Sequence, residues 1–427
     1  MEVKMESETL SDEFTSFLDS GIYRLPGIKA VFLDPVRLLN LSYTRYSISA
    51  SGYYCRTFDS LGKGRRTNIE AGDSYVPKKK KRKRKRRLPE DLNGQELVAE
   101  KRHQDVRPFL LKAHEALLGT TELLLFLPNL VKDEKFSIDG RGLEQSFIEL
   151  GRVWQAPLYE ISMNIEGNSK EVQEEGLPNV DSSGRTVAPL FNNLISNKAS
   201  IDMDAEFLNR IYILPRKSCF HTSDLRQIHD LIPGSSDQGF NLIVIDPPWE
   251  NGSAYQKAVY PTLPNRYFLY LPIKQLAHTE GALVVLWMTN RGKLRAFVEQ
   301  ELFPAWGVTD IKTCYWLKIK PDGSLLSDLD LIHHKPYEYL LLGYVNKEKI
   351  EPHFIQNFQD IQIFISIPGA YSRKPPLGSI LIPSVNVSVS VGLKLLAFFR
   401  SKHMHSFLVR LPVPSGMQGT LVAFLYY

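Results

Sequence analysis

Two hydrophobic patterns alternate along the second half of this chain. Leu242–Ile245 and Ala282–Met288 are apolar at every position. A strand with one face in water alternates apolar and polar residues, so these unbroken runs predict strands buried on both faces of a parallel sheet. Further strands are expected at 313–318, 339–344 and 361–367, the last with Ile361, Ile363, Ile365 and Ile367 separated by polar or aromatic residues. Between 282–288 and 313–318 lies an amphipathic helix over 293–302. Strands alternating with helices predict a doubly wound α/β sheet, whose ligands bind at the carboxyl ends of its strands.

The first half is patterned differently. Residues 96–118 combine helix formers with apolar positions at Leu97, Val98, Phe109, Leu110, Ala113 and Leu117, which predicts a helix that Pro108 splits or kinks. A second apolar and acidic pattern covers 143–150, and 166–184 is rich in Glu, Gly, Ser and Asn, as expected of a flexible connection. These features predict a helix-rich middle domain over 94–205, packed on a catalytic domain over 206–378. Residues 1–75 hold enough aromatic and aliphatic side chains to fold, and Asp34-Pro35 reads as an ordinary turn. After the catalytic domain, 379–427 forms a separate tail. Val385, Val387, Val389 and Val391 alternate with Asn and Ser as in a strand, and 408–425 is apolar but broken by Pro412, Pro414, Gly416 and Gly419.

Charge changes the picture at one place. Every residue of 78–87 is Lys or Arg, ten of the 52 basic residues; the remaining 42 stand against 47 acidic ones, so the rest of the chain carries −5. A block of like charges repels itself and stays extended, so 76–93 is expected to be a linker. It can serve as a nuclear-import address, as a sequence-blind grip on nucleic-acid phosphates, or as a solvated spacer. A nuclear protein, with cytoplasm allowed, is the expectation. No apolar run reaches the roughly 18 residues needed to span a bilayer, the amino terminus lacks a secretory core, and the three cysteines lie far apart, all of which favours an intracellular chain with reduced thiols.

The candidate chemistry sits where the first buried run stops, at Asp246-Pro247-Pro248-Trp249. An amine conjugated to an aromatic ring is a poor nucleophile, because its lone pair is delocalised. A carboxylate at Asp246 and the carbonyl of Pro247, both accepting hydrogen bonds from such an amine, would push it toward tetrahedral geometry and aim its lone pair at an electrophile. Acceptors placed in this way are worth on the order of 10²-fold in rate. Pro248 stiffens the turn, and Trp249 offers a face for a flipped base, a contact of about 1–3 kcal/mol. The stretch 251–264, rich in Gly, Ser, Tyr and Pro, reads as a substrate lid. Asn265, Arg266 and Tyr267 at its exit are candidates for binding phosphate or ribose and stacking a flanking base. His333 and His334 lack a third ligand at metal spacing and stand beside cationic Lys335, so no metal site is expected.

The same tetrad resembles the signature of the N(6)-adenine methyltransferase family related to the catalytic subunit of the messenger-RNA adenosine methyltransferase. The likeness extends through Trp287-Met288-Thr289-Asn290-Arg291, His333-His334-Lys335-Pro336-Tyr337-Glu338 and Ser372-Arg373-Lys374-Pro375-Pro376-Leu377, and is specific over 211–377. It implies a Rossmann-like methyltransferase sheet and S-adenosyl-L-methionine as methyl donor. Asp224 and Leu225, Asp246 and Lys374 are its expected donor contacts, with Lys374 at a helix start taking the donor's carboxylate. Asn265, Arg266, Tyr267, His333, His334 and Lys335 fall on the substrate side. The implied substrate is adenosine in nuclear RNA, such as a 2′-O-methylated adenosine of U2 small nuclear RNA, or else adenine in DNA; a protein partner is allowed.

Past Leu377 the likeness is expected to stop. Family members continue with a helix and a strand ending in Glu-Leu-Phe-(Ala or Gly)-Arg that supplies donor contacts, whereas this chain has no acidic residue after Asp360. The resulting expectation is a sheet short of a strand, a loosely packed tail and weak donor binding. The alternative function is a non-catalytic nucleic-acid-binding or partner-binding homologue.

Overall fold

A computed structural model of the chain describes residues 11–54 apart from 42, 44 and 46, then 94–132, 162–165, 172–173, 179–180, 186–207, 210–223, 225–235, 239–250, 263–331, 335–357, 363–369, 373–385, 393–400 and 419–426. Its strands, in chain order, are β1 (Ile22–Arg24), β2 (Ala30–Leu33), β3 (Ser162–Ile165), β4 (Val172–Gln173), β5 (Asn179–Val180), β6 (Thr186–Pro189), β7 (Leu194–Asn197), β8 (Met203–Phe207), β9 (Arg210–Leu214), β10 (Ser218–Ser223), β11 (Leu242–Ile245), β12 (Ala282–Met288), β13 (Thr309–Lys318), β14 (Tyr337–Val345), β15 (Ile363–Ser366), β16 (Leu393–Arg400) and β17 (Gly419–Tyr426).

Among the described residues, twelve strands form one sheet in the order β1-β2-β15-β13-β14-β12-β11-β16-β17-β10-β7-β4, and five form a second, β5-β6-β3-β8-β9. In the large sheet β12, β11, β16, β17 and β10 run parallel, while β14 is wedged antiparallel between β12 and β13. All seven residues of β12 are buried, and its pleat divides them between two cores. Val284, Leu286 and Met288 pack with Ile243, Ile245 and the helical segment around Phe303 and Trp306. Leu283, Val285 and Trp287 face the other way, onto Leu242, Leu340, Leu342 and Leu381. A sheet with helices over both faces is the doubly wound α/β architecture that the unbroken apolar runs require. Each such buried side chain contributes about 1.5–3 kcal/mol.

The tail corrects the expectation of a missing strand. β16 pairs in parallel with β11, Ile245 opposite Phe398, and β17 lies between β16 and β10. Both are eight residues long and contain neither Pro nor an acidic residue, so every amide can join the ladder. The expected strand over the alternating valines falls outside the described residues from 386 to 392, as do 78–87 and 143–150.

The middle region departs from a helix-rich domain. Gly94–Leu118 and Thr121–Leu130 are helices, the first continuous through Pro108. From Ser162 to Leu214 the described elements are strands. The two helices bury Leu110, Ala113, Leu117, Leu123 and Leu127 against Phe17, Phe32, Ile365 and Ile367, which ties the amino-terminal region to the β2–β15 side of the large sheet. Asp34 proves to be a helix cap rather than a turn residue. Buried, it accepts from the amides of Val36 (3.1 Å) and Arg37 (3.2 Å) at the start of Pro35–Asn40. The expected helix over 293–302 is longer and interrupted, running Gly292–Phe297, a π turn over Val298–Leu302, then Phe303–Trp306. Pro304 lacks the amide that would continue the regular ladder, and the wider turn absorbs the mismatch.

Candidate active site

β11 ends at Ile245, and the next residue, Asp246, stands at the carboxyl edge of the sheet, half buried. The turn beyond it is pinned from several sides. The Trp249 amide donates to the Pro247 carbonyl (2.9 Å) and the Leu263 amide to the Pro248 carbonyl (3.1 Å), so these carbonyls are each engaged by the chain rather than free. Each retains one lone pair. The Asn265 side chain accepts from the Glu250 amide (3.1 Å), and the Arg291 guanidinium donates to the Glu250 carbonyl (2.7 Å).

Trp249 does not serve as an open stacking face. Its indole is 5% exposed, donates through Nε1 to the Trp287 carbonyl (2.9 Å), and meets Phe268 edge-on at 5.1 Å. An indole buried with its one donor satisfied anchors the turn to β12. The residues that do expose rings and charge beside it are Arg266, Tyr267 and Tyr270. Tyr267 is 51% exposed and Tyr270 78%, and Arg266 reaches Glu301 at 3.1 Å from a largely solvated position.

The charges around Asp246 come from three other segments. Lys374 lies 2.6 Å from one Glu338 oxygen and 3.7 Å from Asp246 Oδ1. Lys318 pairs with the other Glu338 oxygen. Both ammonium groups also lie over indoles, Lys318 over Trp316 at 4.3 Å and Lys374 over Trp287 at 5.1 Å. Burial pushes the Glu338 carboxyl up, but the two ammonium groups override it and hold the group at about 2. Lys374 does not sit at a helix start. The nearest helix, Gly378–Leu381, is four residues long and begins beyond it, so backbone dipoles add nothing at this ammonium.

The substrate-side reading of Lys335 is corrected. Its side chain is 8% exposed and paired with Glu100 of Gly94–Leu118 at 3.1 Å; burial lowers its pKa, while Glu100 opposes that shift. Nearby, His103 of the same helix meets the Tyr337 hydroxyl at 3.0 Å. Lys335 therefore docks the helix to the sheet. Leu225 opens a 3-10 turn, Leu225–Leu231, and packs partly buried against the core. Asp224, His333, His334 and the expected lid over 251–262 lie outside the described residues.

Glu338 and Lys318 are the site residues that sequence reasoning passed over. Their signal is a charge in the wrong place: Glu338 interrupts an otherwise apolar or aromatic strand, Tyr337–Val345, and Lys318 closes a strand whose last three residues are buried. A charge retained on a buried strand needs a partner, and here each is the other's.

Residues 240–408 match the MT-A70 family model. The chain carries an MT-A70 domain. The match runs from the start of the site strand through β16, past the point at Leu377 where the resemblance was expected to end. Among curated relatives, N(6)-adenine-specific methyltransferase METTL4 of Homo sapiens is 31% identical over 299 residues, covering 68% of this chain and 61% of that protein. The DNA N6-methyl methyltransferase of Caenorhabditis elegans is 32% identical over 40% of this chain and 45% of its own length. N6-methyladenosine RNA methyltransferase MTA1 of Pyricularia oryzae is 29% identical over 40% of this chain and 47% of its own. The chain thus spans between about two fifths and three fifths of the curated relatives it matches. No helix among the described residues is long and apolar enough to cross a membrane.

Proposed function

We propose that this chain is an S-adenosylmethionine-dependent methyltransferase acting on the exocyclic N6 amine of adenine in nucleic acid, with nuclear RNA ahead of DNA. The observation that carries the reading is the pairing of Asp246 with Lys374 at the carboxyl edge of β11. S-adenosylmethionine supplies an electrophilic methyl group on a sulfonium. Its amino-acid end is a zwitterion, and the Lys374–Asp246 pair presents a charge of each sign to match it. Lys374 is the group to take the donor's carboxylate. Asp246 accepts a hydrogen bond from the adenine amine and turns its lone pair toward the methyl group, helped by the remaining lone pair of the Pro247 carbonyl. The new N–C bond forms as the C–S bond breaks, and the proton lost from nitrogen leaves to solvent. Arg266, Tyr267 and Tyr270 form the exposed edge for phosphate and flanking bases.

Support for RNA over DNA comes from the family resemblance, since the names of the relatives divide between the two. A 2′-O-methylated adenosine in U2 small nuclear RNA is the specific candidate, and the basic run over 78–87 supports a nuclear address. Transfer of labelled methyl to matched RNA and DNA oligonucleotides decides the substrate. Calorimetry with S-adenosylmethionine on the whole chain decides the donor, with a dissociation constant in the micromolar range expected. A second reading, a binding protein that has lost the donor, is favoured by the absence of any acidic residue after Asp360, which leaves β16 without a carboxylate for ribose hydroxyls. No heat in the titration would establish that reading instead.

A further inference from the structure

Four charged groups close the end of the site: Lys318, Glu338, Lys374 and Asp246. Their side chains are only 8%, 20%, 17% and 23% exposed, and two positive and two negative charges make the set neutral. Within this set, each positive charge is already matched by a negative one. To reach Lys374 an incoming carboxylate has to take the ammonium from a carboxylate already holding it, and Glu338, at 2.6 Å, holds it far more closely than Asp246 at 3.7 Å. Stripping a buried carboxylate of its last cation is expensive. Glu338 escapes that cost because its second oxygen is bound by Lys318, itself fixed over the Trp316 ring at 4.3 Å.

We propose that Glu338 is a placeholder for the methyl donor's carboxylate and that Lys318 is a positioning residue for donor affinity. Glu338 keeps Lys374 in place until the donor's carboxylate takes it over, and Lys318 keeps Glu338 neutralised after the exchange. The inference rests on the reading that Lys374 receives the donor's carboxylate.

Two probes separate the carboxylate from the rest of the donor. S-adenosylhomocysteine has the amino-acid end, whereas 5′-methylthioadenosine has the same nucleoside and thioether without it. In titrations of the whole chain, Lys318→Met is expected to weaken S-adenosylhomocysteine on the order of tenfold, because Glu338 then has Lys374 as its close cation and holds it harder. The affinity for 5′-methylthioadenosine should stay unchanged, which also shows that the variant is folded. Lys318→Arg should bind both probes like the wild type. Glu338→Gln should tighten S-adenosylhomocysteine, and adding Lys318→Met to it should have no further effect. Equal weakening of both probes by Lys318→Met, or of neither, overturns the proposal while leaving the donor reading intact. A wild-type chain that binds neither probe overturns both.

Discussion

The turn after β11 and the strands of the tail meet at the same edge of the sheet, yet they are built by opposite means. The turn is held by side chains: two prolines, a buried indole bonded to Trp287, and Asn265 and Arg291 reaching Glu250. The tail is held by register: β16 inserts between β11 and β17 through two parallel ladders. A side-chain scaffold tolerates little substitution but concentrates chemistry. A backbone ladder tolerates almost any apolar side chain, and for that reason it can carry the architecture of a site without carrying its functional groups.

The largest expected effect tests the ladder. Ending the chain at Leu377 removes β16 and β17, leaves β11 as an open edge and separates β10 from the sheet, so the shortened chain should not fold. Circular dichroism and size-exclusion chromatography check this, and a monomeric, cooperatively melting product would show that the tail is an appendage. Next, Trp249→Ala should destabilise the fold by about 3–5 kcal/mol, the cost of emptying an aromatic core position, measured as a shift in denaturant midpoint. A change under about 1 kcal/mol would mean that the indole is kept for substrate after all.

Asp246→Ala should separate function from scaffold within the turn itself. It deletes an acceptor at the end of a strand without opening a core cavity, so methyl transfer should fall at least ~10²-fold with the melting temperature nearly unchanged. Retention of more than about a tenth of the rate would remove Asp246 from the chemistry. The smallest effect concerns acid. Glu338 is held at about 2, below its unfolded value, so its contribution to stability is full above about pH 4.3 and is lost as pH falls toward 2. Glu338→Gln should flatten the loss of stability across that window, as seen in denaturant melts at stepped pH. An unchanged acid limb would show that other carboxylates govern it.

Legibility followed the range of the interactions. β11 and β12 were readable to the residue, because continuous burial writes an unbroken apolar run, and the Pro-Pro pair marks where the first one stops. The helix over Gly94–Leu118 was readable, but its continuity through Pro108 was not, since packing onto the β2–β15 side of the sheet outweighs a single lost hydrogen bond. Lys335 and Trp249 have the composition of binding residues, and only their surroundings show them docking a helix and anchoring a turn.

By itself the sequence determined that a carboxylate would end a doubly buried strand at the ligand edge of an α/β sheet, since strand, acid and stop are contiguous and depend on local periodicity. Only the tertiary structure decided what surrounds that carboxylate. Lys318, Glu338 and Lys374 belong to three separate segments, and no local pattern specifies that β13 and β14 pair in the register that brings them together. The same holds for β16, whose apolar run suits many positions in a sheet. Its place beside β11 follows from which strand edges the rest of the fold leaves to be paired.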